Sequence, residues 1–303
     1  MPAAMPHPVV TGSVFPAAPA GPTEPQPPGL RRPLRHRSAA AWHGIACLVA
    51  LLLAGLPAAA LATRTAAQRE GDTASARSTP TDDAPAAPFK FTTGLYRTAG
   101  AGQTASTGLD LNLRYQGGAG DLWVGAFRAP AGDVSQLRGG WDHSFALGPV
   151  RLLPSLQYAS GGFMGGSVNV ETGTRWYAGA GLGRTNLRNY VNLNFDPNDA
   201  WMLSAGYRWS EARYAGVQVV RDNRAHPDQQ HLHLVARLPT DAGHAVFVDL
   251  LDKRGSLDDG RYVHRYGASM TYSWPQVFVR MAYDPKVNFT PQNQWRVSVG
   301  TRF

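Results

Sequence analysis

Eleven arginines fall where a two-residue repeat would turn them to one side of a sheet: Arg114, Arg138, Arg151, Arg175, Arg188, Arg208, Arg237, Arg265, Arg280, Arg296 and Arg302. A planar guanidinium makes paired hydrogen bonds to carboxylate and phosphate. Grouped around a hollow with low-dielectric walls, such a set would favour anions. The same parity collects five acids, Asp110, Asp142, Glu171, Asp249 and Asp284, with Asn112, Asn192, Asn194, Gln157 and Gln218 among them. Two outcomes follow from this mixture. The arginines bind anionic ligands, or the acids consume part of the set in ion pairs that fill a structural wall.

Other reactive types are sparse. His231 and His233 share one face of a segment near His226, Asp222 and Asp228, a spacing that would suit a divalent metal. Histidines two apart on a strand are also ordinary polar residues, so these two are weak candidates and no cofactor is expected. His143 and Ser144 are adjacent, and adjacent strand residues point to opposite faces, so they make no catalytic dyad. The glycines at Gly179, Gly181 and Gly183 sit inside an alternating segment, where glycine relieves crowding rather than cradling phosphate. No catalytic constellation emerges, and an enzyme is not expected. Basic and aromatic residues alternate across the strands, so stacking and phosphate contact cannot act together, and nucleic acid is not an expected partner.

These residues need elements with a period of two, and residues 89–303 have it. Leu109, Leu111, Leu113 and Tyr115 oppose Asp110, Asn112, Arg114 and Gln116. Trp201, Leu203, Ala205, Tyr207 and Trp209 oppose Met202, Ser204, Gly206, Arg208 and Ser210. Strict alternation requires strands with one apolar and one polar face. About 14 such strands can be placed, with 12 or 16 if a hairpin is merged or missed. Two of them are read at 167–183 and 187–196. Tight turns such as Gly117–Gly120 and Ser273–Gln276 alternate with longer polar connections such as Asp222–Gln230 and Lys253–Arg261. That rhythm is the signature of a transmembrane antiparallel β-barrel. The connections are read as too short to plug it.

A soluble sandwich or barrel also alternates, but it turns its apolar face inward. Here Tyr115, Tyr158, Trp201, Trp209, Tyr272, Trp274 and Trp295 cluster near strand ends, as interfacial girdles do. The faces opposite the apolar ones carry Gly and Arg rather than Lys and Glu. Closure explains how so many strands avoid unpaired edges in lipid. The expected fold is therefore all-β, a membrane barrel with its apolar face outward.

The final segment resembles the targeting strand of Gram-negative outer-membrane β-barrel proteins. It has an aromatic at Phe303, with Val299, Val297 and Trp295 at alternate positions before it, and Thr301 where a larger apolar residue is common. The resemblance implies insertion into outer-membrane lipid by the barrel assembly machinery, with that face as the recognised signal. It reaches the class of protein and no particular family.

The N-terminal region reads as address and tether. An extended Pro/Ala-rich stretch ends in Arg31, Arg32, Arg35 and Arg37, and an apolar run follows from Ile45 to Leu56. Ala60-Leu61-Ala62 then completes the three parts of a secretory signal peptide, with cleavage expected after Ala62. Cys47, the chain's one cysteine, opens the apolar run instead of closing it, which argues against a lipid anchor and leaves no disulfide framework. Residues 63–88 lack Val, Ile, Leu and, until the strand begins, every aromatic, so they read as a disordered periplasmic linker. Losing residues 1–62 removes four Arg and one Glu and lowers the formal charge from +8 to +5. The expected function is a porin-like pore or conduit for anionic small solutes or acidic glycans. The alternative is a non-conducting barrel serving as receptor, scaffold or export accessory, with a barrel hydrolase behind both.

Overall fold

Fifteen ladder segments form in the alternating region because each offers an apolar face to one side and a polar face to the other. The computed structural model describes residues 87–303 apart from Ala101, Asp133, Asp241 and Ala242. The expected signal peptide and most of the linker lie outside the described residues. The segments are β1 (Phe89–Gly100), β2 (Gln103–Gly117), β3 (Gly120–Ala129), β4 (Val134–Asp142), β5 (Phe145–Leu147), β6 (Val150–Ala159), β7 (Phe163–Thr172) and β8 (Trp176–Thr185). They continue as β9 (Ala200–Arg208), β10 (Tyr214–Asp222), β11 (Gln230–Pro239), β12 (Ala245–Ser256), β13 (Tyr262–Ser273), β14 (Val277–Asp284) and β15 (Asn293–Arg302).

Every segment pairs antiparallel with its neighbours, and the sheet closes on itself. β1 pairs with β2 on one side and with β15 on the other, from Lys90 opposite Arg302 to Ala99 opposite Asn293. Both β4 and the short β5 pair with β6, so they are two halves of one crossing, broken at His143-Ser144. The wall therefore has 14 strands. Phe89 and Phe303 seal the seam with reciprocal backbone hydrogen bonds of 2.9 and 3.0 Å. Among the described residues no open edge is left for lipid or another chain to meet.

Parity puts the greasy side outward. Leu95, Leu111, Val124, Leu137, Leu156, Leu182, Leu203 and Val297 are all exposed on the outside. Aromatics cap that belt. Phe89 stacks on Phe303, Trp176 and Trp209 both pack on Tyr207, and Trp274 packs on Tyr272, all at the end carrying the short turns. Tyr283 with Trp295 lies toward the other end. An apolar band between two aromatic rims is what a bilayer selects. The chain is an outer-membrane-type β-barrel, and the expected fold class holds.

Two of the expected strands do not. Residues 167–183 are not one strand but parts of two, β7 and β8, turned at Gly173, whose φ of 95° suits glycine alone. Residues 187–196 are not a strand at all. The stretch 186–199 leaves the wall and folds into the lumen, against the expectation that no connection is long enough to occupy it. Its composition explains this: five Asn, two Asp and Pro197 in fourteen residues disfavour a ladder. The two misreadings offset each other, which is why the count of 14 survives.

Candidate functional site

The inward segment is stitched to a long arc of the wall. Leu187 takes a left-handed backbone at φ 59°, unusual for a branched residue, at the point where the chain turns inward. Tyr190 stacks on Phe163 of β7, with ring centroids 4.1 Å apart. Gln136 of β4 exchanges hydrogen bonds with the backbone of Val191, accepting at 2.8 Å and donating at 3.2 Å. Leu193 packs with Tyr96, Phe127 and Ala129, while Arg296 of β15 donates to its carbonyl at 2.5 Å. Phe195 buries against Leu251 and Ala282. Asp199 then closes the return by accepting from the Thr185 hydroxyl at 2.5 Å.

A second connection joins it. The β14–β15 loop carries consecutive left-handed residues, Asn288 and Phe289, with Lys286 just before them. Asn288 donates to the carbonyl of Asn192 at 3.0 Å. Phe289 is buried and stacks on the His231 ring at 5.3 Å. Left-handed non-glycine residues cost of order 1–3 kcal/mol each and persist only where surrounding packing dictates them.

Beneath these two connections lies a buried polar cluster. Asp196 places one oxygen, Oδ1, 2.8 Å from His231 Nδ1 and 2.8 Å from His233 Nε2. The other nitrogen of His233, Nδ1, lies 2.9 Å from Asp249 Oδ1. Lys253, wholly buried, donates to Asp284 at 2.5 Å and to the Lys286 carbonyl at 3.2 Å. Burial alone would raise the Asp196 carboxyl, but His233 and His231 outweigh it and hold it far below the usual carboxylate range. Burial raises the Tyr190 phenol, with the nearby Arg138 guanidinium opposing.

The arginines divide into groups. Arg114 faces Asp142 at 2.8 Å and Asp121 at 3.4 Å. One terminal nitrogen of Arg138 lies between both oxygens of Asp110, at 2.8 and 2.7 Å. Arg151 and Arg208 both grip Glu171. These four are inward as parity requires, and each is matched by carboxylate. Arg280 bonds the Thr271 hydroxyl at 3.0 Å, and Arg296 holds the inward segment while its guanidinium lies over Tyr96 and Phe195. Arg237 is inward and buried, and Arg265 has inward parity but stands exposed near the loop end. Arg175 lies in the turn before β8 and Arg188 in the inward segment, both exposed, so neither belongs to a strand face. His143 is outside, packed on Trp141 and Phe145, while Ser144 is buried on the other side.

Sequence reasoning paired His231 with His233 but missed Asp196, which it had placed on a strand of the wall, and it missed Lys253. The signal for Asp196 was local: the Asp-Pro step at Asp196-Pro197, after a run of alternating Asn, ends any ladder there.

The other part of the inner wall is lined by small residues. Gly179 and Gly181 on β8, Ser204 and Gly206 on β9, and Gly216 and Gln218 on β10 remain half-buried and reached by solvent. Tyr177 lies across Gly206 and Gly216, where any Cβ would collide with its hydroxyl.

No protein-family model matches the sequence, and no curated protein is similar to it. Among solved structures, the chain is similar to the outer membrane protein Omp33 of Acinetobacter baumannii, at 10% identity and a TM-score of 0.45, over 72% of this chain and 98% of that one. A variant of the Rh. blastica porin gives 10% identity and a TM-score of 0.40, over 71% and 99%. The NanC porin gives 12% identity and 0.37, over 70% and 100%.

Proposed function

We propose that the protein is a passive pore of a Gram-negative outer membrane, conducting small solutes past the inward segment along the small-residue wall of β8–β10. One observation carries this reading: midway along those strands the inward residues Gly179, Gly181, Ser204, Gly206, Gly216 and Gln218 are small or polar and stay in contact with solvent, beside the larger Tyr177, Met202 and Val220. A barrel built to be solid fills such positions with larger side chains. No group there is arranged for bond-making, so the chemistry is selection by size and charge.

The selection favours anions. At the short-turn mouth Arg114, Lys90 and Arg302 stand directly across from one another on β2, β1 and β15. Asp142 and Asp121 offset Arg114, and the Phe278 ring lies beside Lys90 and Arg302, so the three like charges share one patch of positive potential. Arg237 and Arg280 point inward near the same end, so cations outnumber Asp121, Asp142 and Glu171 there. The cargo class is small carboxylates, phosphates or acidic glycans. In this reading residues 1–62 are a cleaved signal, residues 63–88 a periplasmic tether, and the short-turn mouth faces the periplasm. Trp295, Val297, Val299 and Phe303, all exposed on the outside, present the face that the assembly machinery takes up.

Planar-bilayer recording tests the proposal. Refolded protein is expected to give discrete channel events whose reversal potential in a KCl gradient shows chloride preference, reduced by Arg280→Glu. Absence of events from correctly folded protein would remove the pore and leave a receptor or scaffold.

A further inference from the structure

We propose that Asp196, His231 and His233 form a divalent-cation site of zinc type, which staples the inward segment to β11. The proposal stands apart from the pore reading, since a sealed barrel would bind the same ion.

Three donor atoms converge from two elements. One ring nitrogen from each of His231 and His233 and a carboxylate oxygen of Asp196 all lie within 4.8 Å of one another. Tetrahedral zinc holds nitrogen and oxygen at about 2.0–2.2 Å, which sets its ligands about 3.3 Å apart. The two 2.8 Å separations therefore need to open by about half an ångström, and the remaining pair, within 4.8 Å, to draw in. Two imidazoles and one carboxylate suit zinc and its neighbours rather than calcium or magnesium, which prefer all-oxygen sets.

The surroundings supply a second, independent argument. Asp249 lies against His233 Nδ1, which leaves Nε2 as the ring nitrogen that faces the Asp196 carboxylate. Carboxylate behind histidine is also the arrangement that orients and strengthens a metal-bound imidazole. Charge points the same way. Among the described residues of this buried cluster, the carboxylates Asp196, Asp249 and Asp284 outnumber the fixed positive charge of Lys253, which suits a cation. His231 Nε2 is buried against Phe289, so of its two ring nitrogens Nδ1 is the one that faces the other donors.

The test is metal titration of the untagged, refolded full chain after chelator treatment. Cobalt is expected to give a visible absorption band that saturates at about one equivalent and bleaches on adding zinc. His231→Gln and Asp196→Asn are expected to abolish the band, whereas Asp249→Asn should weaken affinity about 10–100-fold without abolishing it. Zinc should also slow proteolysis within residues 186–199 in the wild type and not in His231→Gln. No saturable cobalt or zinc binding by folded wild-type protein would overturn the proposal. So would a band that survives in both His231→Gln and Asp196→Asn. Circular dichroism checks that each variant has folded, and the wild-type result decides alone should one fail to.

Discussion

Two parts of the inner wall use the same strand geometry for opposite ends. From β11 round to β1, the inward side chains are large or charged and nearly dry: His231, Lys253, Phe278, Asp284 and Arg296 are all at most 6% exposed. Midway along β8 to β10, at Gly179, Gly181, Ser204, Gly206, Gly216 and Gln218, they are small or polar and wet. The difference comes from which residues face the inward segment. Where it docks, the wall supplies ions and rings for it to hold. Where it does not, the wall supplies glycine and serine. In the proposed pore, rigidity and permeability are therefore kept on separate arcs of one closed sheet.

The largest test of that contrast is Lys253→Ala. It leaves Asp284 buried without its cation, and breaking such a pair costs about 3–5 kcal/mol. Denaturant unfolding of the refolded barrel should show a loss of this size, whereas a loss below about 1 kcal/mol would mean that water reaches the pair. A paired substitution comes next. Ser204→Trp on the wet arc should change stability by about 1 kcal/mol or less and cut single-channel conductance by roughly half. Ser298→Trp on the dry arc should fail to refold, because the Ser298 hydroxyl already crowds Gly94. Equal behaviour of the two variants would erase the distinction between arcs. The smallest effect belongs outside both. Asp259 and Arg261 pair at 2.6 Å on an exposed loop, and Arg261→Ala should leave the unfolding midpoint unchanged, since surface pairs are screened.

The wall was legible in the sequence because lipid outside and water inside impose a period of two on every strand. Leu111, Leu203 and Val297 read correctly for that reason. The interior was less legible. Parity says that Arg138 points inward, but not that Asp110, 28 residues away, will meet it with both carboxylate oxygens. Residues 187–196 also defeated the periodicity argument. Tyr190, Asn192 and Asn194 alternate with Val191, Leu193 and Phe195, because a segment packed between two surfaces can show a strand's pattern without a strand's hydrogen bonds. His231 and His233 were visible as a pair, while the carboxylate facing them came from a segment assigned to the wrong place.

The seam between Phe89 and Phe303 has a kinetic meaning. Its partners lie more than two hundred residues apart, so joining them is the contact with the greatest loop-closure cost in the molecule. Until the last strand arrives, the first has a bare flank and the cylinder is an open ribbon. Once zipped, it can unravel only by parting a whole ladder at once in a solvent that offers no replacement hydrogen bonds. Slow completion and slow escape are thus two faces of one joint, and the lifetime of the folded form is set there.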